Sequence, residues 1–144
     1  MQRNKIIVVI FEDLNIREVA VHYAAVLAQR INAQIIFLLL MEYNSDSKDE
    51  LELLKQKYKD IILKRISKII GNNISMQAEV MVGNRRSEFY KFLASHRSFH
   101  TAIWGGDENA AMEKTGRSAG HWMASIKDEL SCPLVIPKKK YKSR

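Results

Sequence analysis

The stretch Lys5–Glu42, KIIVVIFEDLNIREVAVHYAAVLAQRINAQIIFLLLME, decides the fold. It opens with Ile6–Phe11, a continuous apolar run rich in β-branched side chains and too short for a helix, which reads as a strand buried on both faces. The polar turn Glu12-Asp13-Leu14-Asn15 follows, and Asn15 with Glu18 three residues on has the spacing of a helix-start capping pair. Ala20, Tyr23, Ala24, Leu27, Ala28 and Ile31 then recur at helical spacing, which predicts one apolar stripe. Ala33–Glu42 is a second doubly buried strand. Strand, helix and strand in this order form a parallel unit with a crossover helix.

The same alternation continues outward. Ser47 and Glu50 are spaced as a capping box, and Leu51, Leu54, Tyr58, Ile61, Ile62, Ile66 and Ile69 mark a long amphipathic helix ended by Gly71 and Asn72-Asn73. From Ile74 to Val82 apolar residues alternate with Ser75, Gln77 and Glu79, the period of a half-exposed strand such as an edge. Gly83-Asn84 is a turn. Phe89, Phe92, Leu93 and His96 mark a short helix, Thr101–Trp104 a short strand, Trp122, Ile126 and Leu130 a final helix, and Cys132–Pro137 a last strand. Five strands alternating with helices predict an α/β fold: a parallel sheet with helices on both faces, in three layers α/β/α. Strand-to-helix loops then share one rim, and ligands of such sheets bind there, where the winding reverses.

Composition narrows the function. The 144 residues suit one domain over 1–137 with a basic tail over 138–144. Five of the net +7 charges lie in that tail, leaving +2 for the rest, so nucleic acid is not the expected partner. No apolar run approaches the ~20 residues needed to cross a bilayer, and the start lacks a secretory pattern. Cys132 is the single cysteine, which excludes an internal disulfide, fits a cytoplasmic location and reads as an inert core thiol. His22, His96, His100 and His121 have no metal-ligand spacing, so no metal site is expected.

Three segments in register resemble the universal stress protein family: KIIVVIFED with REVAVHYAAVLAQRINAQIIFLLL, EVMVGNRRSEFYKFLASHRSFHTAIWGG, and GHWMASIKDELSCPLVIP. The resemblance runs from Lys5 to Pro137. It implies a Rossmann-like sheet of the adenine nucleotide alpha hydrolase-like kind, strand order 3-2-1-4-5, and homodimers. Many members bind ATP, with adenosine near the acid after the first strand and phosphates in a Gly-x2-Gly-x9-Gly-Ser/Thr loop after the fourth.

Glycines and a helix start suit phosphate because bare backbone N–H groups can approach the anion. Here the motif is altered in either register. Gly105 matches its first position, Glu108 stands where a glycine is expected, and Gly120 matches the later glycine with His121 in place of the hydroxyl residue. The rival register takes Gly106 and Gly116, with Arg117 at the hydroxyl position. Asp107 and Glu108 add negative charge where phosphate would lie, and Lys114, Thr115, Arg117 and Ser118 are the residues that would offset it. Glu12 aligns with the adenosine-side acid and Asp13 is one position off. The expectation is a non-catalytic stress-response binding module with weak or no ATP binding, absence of nucleotide being favoured. The alternatives are a member that binds ATP with Mg through the Gly105–His121 loop, or a nucleotide-using transferase of the same fold group.

Overall fold

The computed structural model describes residues 5–96, 98–107 and 122–138. Among these the elements run β1 (Lys5–Phe11), α1 (Glu18–Ile31), β2 (Ala33–Met41), α2 (Lys48–Ile70), β3 (Met76–Val82), α3 (Arg85–Ala94), β4 (Thr101–Trp104), α4 (Trp122–Ile126), a 3-10 turn (Lys127–Glu129) and β5 (Leu134–Val135). They form a five-stranded sheet in the order β3-β2-β1-β4-β5. All its pairings are parallel. The strand order expected from the family resemblance is therefore the order observed.

The two central apolar runs are buried as their composition requires. β1 pairs with β2 from Lys5↔Ala33 to Phe11↔Leu39 and with β4 from Ile7↔Thr101 to Ile10↔Trp104. Their alternate side chains feed two cores. Ile7, Val9 and Phe11 join Ile35, Phe37 and Leu39 beneath α1 and α2. Val8, Ile10, Ile36, Leu38 and Leu40 join Phe89, Phe92, Trp104 and Met123 on the opposite side, beneath α3 and α4. The period-two pattern of β3 also holds, since Ala78 and Val80 are buried with the first core.

Local details differ from the sequence reading in instructive ways. No Asn15–Glu18 capping pair forms. The Asn15 N–H donates instead to Asp13 Oδ1 at 2.9 Å, and α1 begins at Glu18 with Arg17 as an N-cap that makes no side-chain cap. Asp13 closes a local turn and delays the helix. The buried stripe of α1 is Ala20, Val21, Ala24, Ala25 and Ala28, whereas Tyr23 is 42% exposed. The buried face of this helix is therefore made of small residues, four of the five being alanine. Ser47 does cap α2, accepting from Glu50 N–H at 3.1 Å, but Glu50 Oε1 accepts from the Tyr43 hydroxyl rather than turning back to close the box. The last apolar run yields only a two-residue strand.

Cys132 is half-buried against the second core. Desolvation pushes its thiol pKa up, with an Ala102 backbone hydrogen bond pulling the other way. Both features suit a packing thiol better than a nucleophile. Among the described residues no helix is long and apolar enough to cross a membrane.

Candidate functional site

The winding of the sheet reverses between β2 and β4, on either side of β1, so the turns after β1 and β4 flank the switch point. They lie side by side. Gly105 N–H donates to Ile10 O at 2.7 Å, and Arg17 Nη1 donates to Gly106 O at 2.8 Å. Between them opens a cavity of about 370 Å³ lined by Glu12, Asp13, Asn15, Arg17, Gly106 and Asp107. That volume falls in the range of small-ligand sites. A larger concavity, about 490 Å³, lies at the ends of β2 and β3 against Glu42, Tyr43, Asn44, Gly83 and Asn84. It is away from the switch point, and among the described residues no cationic side chain lines it.

Gly105 is required by close packing rather than by a special dihedral angle. A Cβ there would lie 2.5 Å from the Phe11 ring and 2.9 Å from Ile10 O. A Cβ on Gly106 would meet the Trp104 ring at 2.8 Å. The glycine pair thus lets the chain turn tightly over two buried aromatic rings. Trp104 itself is fully buried, and its indole N–H donates to Asp107 O at 2.7 Å, which holds the turn down. The ring packs edge-on to Trp122 at 5.8 Å.

Arg17 lies at the start of α1 and bridges the other two turns. Its Nη2 donates to Pro137 O at 2.6 Å while Nη1 holds Gly106 O, so one side chain ties the turn after β4 and the exit of β5 to α1. Arg85, the first residue of α3, does the corresponding work on the far side. It donates through Nε to Leu40 O and through Nη2 to Glu12 O, both at 2.9 Å, and Nη1 stands 3.4 Å from the Glu42 carboxylate. The Glu12 carboxylate accepts from the Trp122 indole at 2.5 Å and lies 3.9 Å from Arg85 Nε.

Glu12, Asp13, Gly105 and Gly106 are therefore brought together at the rim. Glu12 turns part of its carboxylate to Trp122 and Arg85, and Asp13 is occupied with the Asn15 N–H. Thr115, Gly116, Arg117, Ser118, Gly120 and His121 lie outside the described residues, as do Glu108 and Lys114. Arg17, Arg85 and Trp122 carry the rim yet gave no sequence signal, because a helix-start arginine and an isolated tryptophan read as solvent-facing and core. Among the described residues no group of three His, Cys, Asp or Glu side chains could hold a metal.

The Arg85 fork makes a test of rim rigidity. Replacing Arg85 by methionine keeps the aliphatic packing and removes charged hydrogen bonds; a cost of about 1–2 kcal/mol in urea unfolding is expected, the low end for charged bonds because the side chain is partly exposed. Lysine should recover less than half of it, having no planar fork to span two carbonyls and a carboxylate.

The fold and its rim cavity define a Rossmann-like α/β/α sandwich with its candidate site at the switch point. More narrowly, this is the fold of the universal stress proteins. UspA from Lactobacillus plantarum superposes with a TM-score of 0.63 at 17% identity, over 96% of this chain and 100% of that one. A universal stress protein in complex with cAMP gives 0.69 at 14% identity over the same shares. The Archaeoglobus fulgidus universal stress protein in complex with dAMP gives 0.58 at 14% identity, again over 96% and 100%. No family model matches the sequence, and no curated protein matches it.

Proposed function

We propose that this chain is a universal stress protein-like binding module, cytoplasmic and non-catalytic, that binds ATP weakly or not at all. The observation that carries the reading is the acidic lining of the switch-point cavity. Asp107 follows directly on the glycine pair, Asp13 also lines the cavity, and Arg17 is engaged with the Gly106 and Pro137 carbonyls. Carboxylates a few Å from a triphosphate oppose it unless a divalent cation bridges them. The full-length likeness to universal stress proteins supports the module itself, and the relatives solved with cAMP and dAMP support adenine as the base to test.

Residues Thr115, Gly116, Arg117, Ser118, Gly120 and His121 are the candidates for any phosphate contact, with Glu12 and Asp13 on the adenosine side. Titration with Mg-ATP, followed by calorimetry, tests the reading. No saturation below about the millimolar range is expected, equivalent to a binding free energy weaker than about −4 kcal/mol. Saturable micromolar binding would establish the rival reading of an ATP-binding member. Homodimer formation belongs to the same proposal, and a solution mass that stays monomeric at high concentration would count against it.

A further inference from the structure

The sheet is not equally secured across its width. β1 pairs with β2 over all seven of its residues. β5 pairs with β4 at two positions, Ala102↔Leu134 and Ile103↔Val135, with a further backbone bond from Ala102 N–H to Pro133 O at 2.9 Å. Pro133 and Pro137 bracket β5 and have no N–H with which to extend that ladder. Burial is thin there as well. Across α4, the 3-10 turn and β5, residues 122–137, Met123 is fully buried, but Trp122, Leu130, Cys132, Leu134 and Ile136 are only partly so. In β1, by contrast, every residue from Ile7 to Phe11 is buried. Few ladder bonds and little buried apolar surface mark a segment whose opening costs less than global unfolding.

Side-chain bonds supply what this ladder lacks, and each reaches a different element. The Trp122 indole donates to Glu12 Oε2, just after β1. The Tyr90 hydroxyl on α3 donates to Glu129 Oε1 in the 3-10 turn at 2.6 Å. Arg17 Nη2, before α1, donates to Pro137 O at 2.6 Å. The three bonds fall at the start, the middle and the end of the segment. Each includes a charged group, which makes the stronger kind of hydrogen bond.

We propose that residues 122–137 form a strap that opens and closes as one unit while the other four strands stay folded, and that the Trp122, Tyr90 and Arg17 bonds are the clips that set its closed fraction. Opening takes the indole away from Glu12 and the Pro137 carbonyl away from Arg17. The strap is therefore coupled to the rim, whose turns have these partners only while it is closed. Opening also uncovers Cys132, which packs against the second core. Cys132 is the single cysteine, so its thiol reports the opening without a competing signal.

The experiment is thiol labelling of Cys132 in the full chain with a chromogenic disulfide reagent, at fixed pH, in native buffer and in urea below the unfolding transition. Rates are scaled to that of the urea-unfolded chain. Labelling is expected to be slower than in the unfolded chain but faster than global unfolding allows. Its urea dependence should be a fraction of the global slope, because only the strap gains exposed surface. Tyr90→Phe should accelerate labelling about fivefold and Trp122→Phe about tenfold, each having lost a hydrogen bond to a carboxylate. Phenylalanine at 90 keeps a ring beside Arg86, whose guanidinium lies 5.9 Å from the Tyr90 centroid. Ile62→Val is the control, since Ile62 is buried in the first core beneath α2. That variant lowers global stability, but the closed and open strap states lose the same contact, so labelling should change by less than about twofold.

Labelling that Ile62→Val accelerates in step with its effect on global unfolding would overturn the proposal, because the thiol would then be reached by global unfolding alone. A rate independent of urea would overturn it too, since Cys132 would then be reached with the strap closed. So would rates that both Tyr90→Phe and Trp122→Phe leave unchanged, because those bonds would then clip nothing. None of these outcomes depends on whether the chain binds ATP.

Discussion

Alanine at Trp104 is expected to lower unfolding free energy by about 3–5 kcal/mol, the cost of removing a large aromatic side chain from a packed core. Trp104 is 0% exposed, closes the second core beside Phe89 and Met123, and meets Trp122 edge-on. On a total of about 5–15 kcal/mol for a domain of this kind, that loss leaves a marginal protein. Urea unfolding followed by circular dichroism reads it as a fall in midpoint at nearly constant slope. Trp104→Phe separates the two roles of the side chain. The smaller ring keeps most of the packing but has no indole N–H for Asp107 O, so a cost well below that of alanine is expected. A shift below about 1 kcal/mol for alanine would contradict the packing described.

Gly105→Ala is expected to cost about 2–3 kcal/mol, at the upper end for overpacking by one carbon. Its added methyl would lie 2.5 Å from the Phe11 ring and 2.9 Å from the Ile10 carbonyl. A ring at the end of a flexible side chain can step aside. Phe11 is instead 1% exposed and stacked on Phe37, and the carbonyl belongs to the central strand while accepting the Gly105 N–H. The chain therefore has to lift at the turn, which moves Gly106 and Asp107 and weakens the hold of Arg17 on Gly106 O. The same urea series measures the loss. An unchanged midpoint would mean that the turn gives way at no cost, and the glycine would then be dispensable to the rim.

How far the site was legible follows from what each residue needs. The glycine pair after Trp104 and the acid after Phe11 were readable because they occupy fixed places after apolar runs. The rim cavity they form was foreseeable from strand alternation alone, since parallel strands send every following turn to one edge. The N-cap of α1 was misplaced by two residues, Asn15 for Arg17. The pairs Asn15–Glu18 and Ser47–Glu50 have the same capping spacing on paper, but Asp13 takes the Asn15 N–H that Glu18 would have accepted, and no local pattern ranks those two bonds. The role of Tyr23 was misread for a related reason. Helical periodicity finds an apolar stripe but does not set which of its members the sheet covers.

By itself the sequence determined the alternation of strands and helices, the burial of the two central strands and the half-exposed character of β3. These follow from side-chain hydrophobicity at periods of two and 3.6, which neighbours along the chain dictate. Only the tertiary structure decided which charges face one another at the rim. Arg17 reaches Pro137 across 120 positions, Trp122 reaches Glu12 across 110, and Arg85 reaches Glu12 across 73. Each is a polar contact between the ends of separate elements. Its existence depends on sheet order and crossover hand, which bring those ends together, and not on any spacing along the chain.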